Sequence, residues 1–221
     1  MTEYLEILRR SPLFRGIEAE ELSALLDCMG GRPRRIKKGD TVLAAGEPAT
    51  HLGIVLAGRV QVSRLKADGQ RIVMGEIRPG QLFAESFACA RAEALPVTVT
   101  AGADGAVLLL DSGRLSAPCS AACAFHGRLI ANLLSVLAHK NLALAGKVEY
   151  LSGRTIRERL LAYLEDLCLK AGKNTVIVPF DRQALADYLC VDRSALSRAI
   201  GQLREEGVLE ADRGKFTLKQ L

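Results

Sequence analysis

Two short predicted helices near the C-terminus carry the residues whose chemistry is most specific. Asp181 and Asp192 each stand directly before a stretch with helical spacing, where an aspartate accepts hydrogen bonds from free N–H groups of the first turn. The small Ala186 allows the two helices to cross closely, as in a helix-turn-helix. Polar side chains available to a partner cluster here: Gln183 on the first helix, and Arg193, Ser194, Ser197 and Arg198 at the exposed start of the second. Arginine pairs with guanine in the major groove and hydroxyl groups bind phosphates or bases, so the segment predicts a DNA-reading helix.

A predicted hairpin follows these helices. Val208–Leu209 and Phe216–Leu218 flank the turn Asp212-Arg213-Gly214, which places Arg213 and Lys215 where a DNA backbone can be contacted. The pattern predicts a winged helix-turn-helix. The alternative is a three-helix fold used only for packing, but two arginines clustered at one end of a mixed-charge helix argue against it.

The spacing Cys119-x3-Cys123-x2-His126 is a second candidate site. Thiolates and imidazoles bind zinc, iron or haem, so a metal, haem or redox role is one hypothesis. The spacing differs from that of a zinc finger and no second Cys/His cluster follows it. The other hypothesis is that these are inert, because small thiols are common in protein cores. No cofactor is required by the sequence.

The stretch from Arg32 to Asp111, which precedes these helices, has the sequence pattern of an all-β unit. Short apolar runs alternate there with turn residues, and glycines at 46, 58, 69 and 80 lie 12, 11 and 11 residues apart, as in an antiparallel sandwich or barrel. Asp68-Gly69 between Val60–Lys66 and Arg71–Met74 predicts a hairpin. The basic run Arg32-Pro-Arg-Arg-Ile-Lys-Lys is interpreted as a solvated strand edge or, alternatively, a contact for acidic partners.

A long helix is predicted between the two regions, from Ser120 to Gly146. Two apolar seams run side by side along it: Leu129, Leu133 and Val136 in one, Ile130, Leu134 and Leu137 in the other. Because a helix on one surface needs a single stripe, two stripes predict two partners, the β region and a second copy of the chain. The alternative is a helix wholly buried in one domain.

Composition excludes several classes of protein. The 221 residues are 49% hydrophobic and 25% charged, as in a globular chain. The longest apolar run, around Ala131–Ala138, breaks at His139 and Lys140, short of the ~18 residues that a membrane span needs. The N-terminus shows no signal-peptide pattern and six cysteines suggest reduced thiols, so a cytoplasmic protein without a membrane partner is expected. No nucleophile elbow, phosphate-binding loop or dinucleotide fingerprint is present, and we therefore expect no enzyme.

The order of β unit, long helix and winged helix-turn-helix resembles the cyclic-AMP receptor protein / fumarate–nitrate regulator (Crp/Fnr) superfamily. The resemblance rests on His51-Leu-Gly-Ile-Val-Leu-Ala-Gly-Arg-Val-Gln-Val, on Gly80-Gln-Leu-Phe-Ala-Glu-Ser-Phe, and above all on Asp192-Arg-Ser-Ala-Leu-Ser-Arg. It implies an α+β protein: an effector-sensing β-roll at 1–118 with a cyclic-nucleotide-binding-like jelly roll, a dimerisation helix at 119–146 and a DNA-binding domain at 147–221. It also implies a homodimer on two-fold-related double-stranded DNA, a small-molecule effector and RNA polymerase as a partner. The alternative function is a regulatory module that acts on another protein.

The sequence departs from the family's cyclic-AMP pattern. Glu85 is present, but Ala84 replaces a glycine, and Leu95-Pro96-Val97 falls where an arginine and a hydroxyl residue hold the cyclic phosphate. A phosphodiester buried without its cation is costly, so the effector is expected to differ from cyclic AMP. The predicted effector pocket comprises Phe83, Ala84, Glu85, Ser86, Leu95 and Val97, with His139 and Lys140 from the long helix.

Overall fold

The computed structural model describes residues 2–66, 68–116 and 124–219. The chain folds into two compact units, Met1–His139 and Lys140–Leu221. The first unit opens with two helices, α1 (Leu5–Arg10) and α2 (Ala19–Cys28). Their apolar sides, including Leu8, Leu22 and Leu26, are fully buried.

A six-stranded antiparallel sheet forms the body of the first unit. Its strands are β1 (Arg32–Ile36), β2 (Thr41–Leu43), β3 (His51–Leu65), β4 (Arg71–Ile77), β5 (Leu82–Phe83) and β6 (Thr98–Asp111). The order is β1-β6-β3-β4, with β2 also paired to β6 and β5 to β3. The pairing of Leu65 with Arg71 confirms the predicted hairpin.

The centre of this sheet depends on a close backbone approach. Strands β3 and β6 pair from His51↔Asp111 to Ser63↔Thr98, with register shifts near Ala57 and Arg59. A Cβ at Gly105 would lie 2.0 Å from the Ala57 carbonyl oxygen, so only glycine fits there. Two short helices that sequence patterning did not predict, α3 (Glu85–Cys89) and α4 (Ser112–Ser116), complete the unit.

The long helix α5 spans Ala124–Ser152. Its predicted end at Gly146 is wrong, because one glycine costs only about 1 kcal/mol inside a helix and does not stop it. The first seam packs on the unit-one core, with Leu129 fully buried and Leu133 7% exposed, whereas Leu134 in the second seam is 62% exposed. Leu137, assigned to the second seam, instead packs against the core with the first. The alternative of a wholly buried helix is excluded.

Eight consecutive residues of α5, 138–145, are exposed on every side of the helix. By length and composition, Phe125–Ser152 is also long and apolar enough to cross a membrane, although charged and polar residues interrupt its apolar runs. Length and composition alone do not distinguish a membrane span from a helix covered by protein.

The second unit is a small helical domain with a three-stranded sheet. Its elements are α6 (Ile156–Ala171), β7 (Thr175–Ile177), α7 (Arg182–Tyr188), α8 (Arg193–Glu205), β8 (Leu209–Asp212) and β9 (Lys215–Leu218). The sheet order is β7-β9-β8. Helix α6 begins at Ile156, because Thr155 and Glu158 form a capping box that fixes its start.

Candidate nucleic-acid interface and sensor-domain cavities

The start of α8 is held by one carboxylate. Oδ1 of Asp192 accepts hydrogen bonds from the backbone N–H of Ser194 (2.9 Å) and Ala195 (3.0 Å), and from the Ser194 hydroxyl (2.5 Å). The Ser194 hydroxyl, with the two N–H groups, lowers the pKa of Asp192. The predicted cap is therefore confirmed, and the helix begins at Arg193.

Helix α8 has two faces of opposite character. Leu196, Ile200 and Leu203 are buried in the second unit's core. The predicted DNA-reading residues all lie on the exposed face: Arg193, Ser194, Ser197 and Arg198. Within the described ranges, neither of these two arginines lies in an ion pair with a carboxylate. Their guanidinium groups are therefore available to a polyanion.

The preceding helix and turn fix the position of α8. Asp181 caps α7 by accepting a 2.8 Å hydrogen bond from the Ala184 N–H. Gln183 is exposed, but its amide donates to Asp187 at 2.9 Å within the same helix, so it must exchange that bond for any DNA contact. Arg159 donates to the carbonyl oxygens of Leu189 (3.3 Å) and Cys190 (3.4 Å), which ties the turn to α6.

The wing is a tight hairpin built at Arg213 (φ 42°) and Gly214 (φ 88°), the positive dihedral angles of a type I′ turn. Arg213 and Lys215 are exposed, as predicted. A cavity of about 390 Å³ lies between the wing and the start of α7, lined in part by Arg182, Arg213 and Phe216.

Arg182 is a basic residue at this cavity that was not among the predicted DNA contacts. Its guanidinium lies over the Phe216 ring, 5.9 Å from the centroid, and burial lowers its pKa. The sequence signal for Arg182 was its position directly after the Asp181 cap. That position makes it the first residue of a helix in the predicted helix-turn-helix.

An aromatic cluster joins the last turns of α5 to this domain. Tyr150 packs edge-on against Tyr163 at 5.6 Å, Tyr163 lies 5.2 Å from Tyr188, and Tyr188 stacks on Phe180 at 4.9 Å. The Lys147 ammonium lies 4.6 Å from the centre of the Tyr188 ring. Burial, with the charges of Tyr188 and Asp166, raises the pKa of Tyr163 to about 12. Residues 147–152 of the long helix thus belong structurally to the helix-turn-helix unit.

The residues of the predicted effector pocket mostly fill the interior of the first unit. Phe83 is 2% exposed, and its ring lies where a Cβ on Gly53 would come within 2.0 Å. Leu95 and Val97 are each 3% exposed. Ala84 adopts φ 59° and ψ 6°, the left-handed conformation that favours glycine.

The polar members of that predicted pocket differ in exposure. Glu85 is 4% exposed, and its Oε1 accepts a long hydrogen bond from the exposed Ser86 hydroxyl at 3.5 Å. His139 and Lys140 are exposed on α5, and Nδ1 of His139 donates to the Ser135 carbonyl at 2.7 Å. The pocket therefore stays a prediction.

Two surface cavities of the first unit lie beside Arg91 and Ser112 instead. The first, of about 220 Å³, has mainly apolar walls that include Leu115, Ile130 and Leu133. The second, of about 290 Å³, is lined by residues that include Thr50, Glu93 and Asp111. Neither cavity is lined by a residue of the predicted effector pocket.

Of the predicted metal candidates, Cys119 and Cys123 lie outside the described residues. His126 is 6% exposed, and its Nε2 lies 3.1 Å from the Leu115 carbonyl, which assigns the ring proton to Nε2. Its Nδ1 has no hydrogen-bond partner among the described residues. In the same part of the chain, no three His, Cys, Asp or Glu side chains are grouped as a metal site would require.

Comparison with known proteins gives two family matches that lie on the two units just described. Residues 33–120 match the cyclic nucleotide-binding domain, and residues 158–221 match the Crp-like helix-turn-helix domain. Two curated relatives match along most of their length. The probable transcriptional regulator flp of Lacticaseibacillus casei is 29% identical over 90% of this chain and 87% of its own. The nitrogen fixation regulation protein FixK of Bradyrhizobium diazoefficiens is 27% identical over 96% and 87%.

Solved structures share the fold. The catabolite activator protein of Thermus thermophilus has a TM-score of 0.56 at 23% identity, covering 95% of this chain and 94% of its own. The c-di-GMP responsive global regulator CLP of Xanthomonas campestris has a TM-score of 0.57 at 19% identity, covering 92% and 100%. With a cyclic nucleotide-binding domain followed by a Crp-like helix-turn-helix, this chain belongs to the Crp/Fnr family of DNA-binding transcription regulators rather than to an enzyme family.

Proposed function

We propose that this regulator binds DNA as a homodimer and that an effector in its first unit controls the spacing of its two recognition helices. The observation that carries the proposal is the pair of arginines, Arg193 and Arg198, which are exposed at the capped start of α8 and form no ion pair among the described residues. In the major groove these two side chains recognise guanine, Ser194 contacts a base, and Ser197 contacts a base or a phosphate. Contacts to the DNA backbone come from the wing and from α7: Arg213, Lys215, Arg182 and Gln183.

The exposed apolar side of α5 supports the homodimer. Leu134, Leu144 and Val148 lie on one side of the helix and are 62–68% exposed, and a soluble monomer rarely leaves such a stripe in water. A second copy of the same helix covers it in a parallel pair. A membrane is the less favoured surrounding for this helix, since Leu129 and Leu133 on the adjacent seam pack on the sheet unit's core. A two-fold dimer places two α8 helices on two-fold-related half-sites.

The effector in this proposal is a small molecule other than cyclic AMP. Leu95 and Val97 are buried apolar residues where the family's phosphate ligands would stand, so a cyclic phosphate would lose its charge partner. We infer a sensing segment at 1–118, a dimerisation helix that continues from 119–146 to Ser152, and a DNA-binding segment from 147 to 221. Effector binding favours one inter-subunit arrangement by population shift.

A metal, haem or redox-sensing function remains the other effector hypothesis. The buried His126, with an Nδ1 lacking a partner among the described residues, supports it. An absorption spectrum and a metal analysis of protein purified without oxygen test it. A Soret or charge-transfer band lost in a Cys119→Ser/Cys123→Ser variant would support it, and a featureless spectrum without stoichiometric metal would contradict it.

A second candidate function is contact with another protein, including RNA polymerase in the cytoplasm. The edge strand β1 and the turn after it favour an acidic partner: Arg32, Arg34, Arg35, Lys37 and Lys38 are all exposed. None of these five forms an ion pair with a carboxylate in the described part of the chain. This surface is compatible with a DNA-bound regulator that also engages a protein.

Salt-dependent binding to duplex DNA tests the main proposal. We expect affinity to fall steeply as salt rises, because each phosphate contact releases counterions. Arg193→Ala and Arg198→Ala are each expected to cost about 1–3 kcal/mol of affinity for a selected operator and much less for random DNA. Arg204→Ala, which removes an exposed arginine at the opposite end of α8, is the matched control. Equal losses on operator and random DNA would contradict base reading by these two arginines.

A further inference from the structure

The hydroxyl group of Ser194 is already used as a donor inside the protein. Its Oγ lies 2.5 Å from Oδ1 of Asp192, the oxygen that also accepts the two N–H groups of the first turn of α8. An ionised carboxylate has no hydrogen to give, so the proton in this bond belongs to the serine. Asp192 is kept ionised by these three donors and by the positive charge of Arg198.

Ser194 consequently presents only one kind of hydrogen-bonding group to a partner. A serine hydroxyl carries one donor and two acceptor lone pairs. With the donor directed at Asp192, the lone pairs are what the exposed side of Oγ offers to the major groove. To donate to DNA, Ser194 would have to give up a short, charge-assisted bond, the stronger class of hydrogen bond.

Base edges in the major groove divide into those that donate and those that accept. Cytosine N4 and adenine N6 carry amino hydrogens, whereas guanine N7 and O6 and thymine O4 only accept. Phosphate oxygens also only accept. We propose that Ser194, oriented by Asp192, is a specificity-determining residue that selects a base with an exocyclic amino group, cytosine or adenine, at one position of each half-site.

The neighbouring charge acts in the same direction. The Asp192 carboxylate lies beside Ser194, and its negative charge favours an approaching amino group and disfavours O6, O4 or a phosphate. Ser197, on the same exposed face, has no side-chain hydrogen bond to any other described residue, so its hydroxyl can donate or accept. The two serines of the motif therefore have different recognition chemistry, a distinction that residue type alone does not reveal.

The inference rests on the DNA-binding function and is tested with the full-length protein. Operators are selected from randomised duplexes with the wild type, Ser194→Ala and Ser197→Ala. We expect wild type to prefer C or A at one position of each half-site. In Ser194→Ala this preference is expected to fall about three- to tenfold, the contribution of one hydrogen bond. Ser197→Ala, the matched control, is expected to keep the preference at that position.

Base analogues identify the group that is read. Purine in place of adenine, or pyrimidin-2-one in place of cytosine, removes only the amino group at the selected position. Affinity is compared between the natural and the analogue duplex for each protein. We expect wild type to lose about three- to tenfold more affinity on the analogue duplex than Ser194→Ala loses. An equal change in both proteins would overturn the proposal.

Asp192→Gly tests the orienting role of the carboxylate. Glycine is an acceptable helix N-cap, a few tenths of a kcal/mol below aspartate, and it frees the Ser194 hydroxyl to donate. We expect this variant to accept G or T at the selected position, and a retained preference for C or A would overturn the role of Asp192. A wild type that selects no operator refutes the DNA-binding function itself, whereas selection without a Ser194-dependent position refutes only this inference.

Discussion

Shortening Leu144 to alanine is the most direct test of the α5 interface. The leucine is 63% exposed, and the change removes three carbon atoms, each worth about 0.8 kcal/mol when fully buried. Burial of the exposed share against a second copy therefore contributes about 1.5 kcal/mol per chain. A two-fold dimer buries the side chain twice, and about 3 kcal/mol corresponds to a dimer dissociation constant raised on the order of 200-fold. Alanine preserves helix propensity, so the α5 backbone should not change.

Sedimentation velocity over a dilution series measures that dissociation constant. Leu169→Ala is the matched control, because Leu169 is a helical leucine that is 74% exposed on α6. We expect the control to dimerise as the wild type does. Equal dissociation constants for Leu144→Ala and wild type, or a wild type that stays monomeric at every concentration, would refute the covered-stripe argument. DNA affinity at low protein concentration should fall in parallel with dimerisation.

Three further changes test local statements about the fold. Asp181→Ala removes the cap of α7 and is expected to lower the free energy of unfolding by about 0.5–2 kcal/mol, measured by urea denaturation; no change would show that the 2.8 Å bond to Ala184 N–H contributes nothing. Ala84→Gly should raise stability by about 0.5–1 kcal/mol in the same assay, because Ala84 holds a positive φ that glycine adopts without strain; a lower stability would contradict the left-handed conformation. Because the pKa of Tyr163 is raised to about 12, its phenol ionises in the unfolded chain before it does in the folded one. The contribution of Tyr163 to the free energy of unfolding is therefore fully present below pH 10 and is lost between pH 10 and 12. Phenolate absorbance measured against pH checks this prediction. Ionisation of Tyr163 at the ordinary tyrosine pKa of about 10 would show that it is wrong.

Features encoded by neighbouring residues were predictable from the sequence. The caps at Asp181 and Asp192 define the starts of α7 and α8 within one residue, because capping depends on a side chain and on N–H groups two or three positions away. The β3–β4 hairpin follows from Asp68-Gly69 in the same way. These local signals also located the exposed arginines of the proposed DNA interface.

Features that depend on distant contacts were not predictable. Helix α3 begins after Ala84, whose left-handed φ is unusual for alanine and is imposed by the surrounding fold. The extent of α5 past Gly146 depends on Lys147 and Tyr150 packing on Tyr163 and Tyr188. The direction of the Ser194 hydroxyl depends on an atomic geometry that residue spacing does not contain.

The exposed stretch 138–145 of α5 has a consequence for the lifetime of the protein in a cell. It contains Lys140 and two exposed leucines, Leu142 and Leu144, and a helical segment with few buried side chains opens readily by local unfolding. A protease that cleaves there would separate two units that each have their own core. Pairing of two copies would shield the site, so undimerised chains would be degraded first. The amount of regulator would then rise disproportionately with its rate of synthesis, giving a threshold that depends on turnover rather than on ligand affinity.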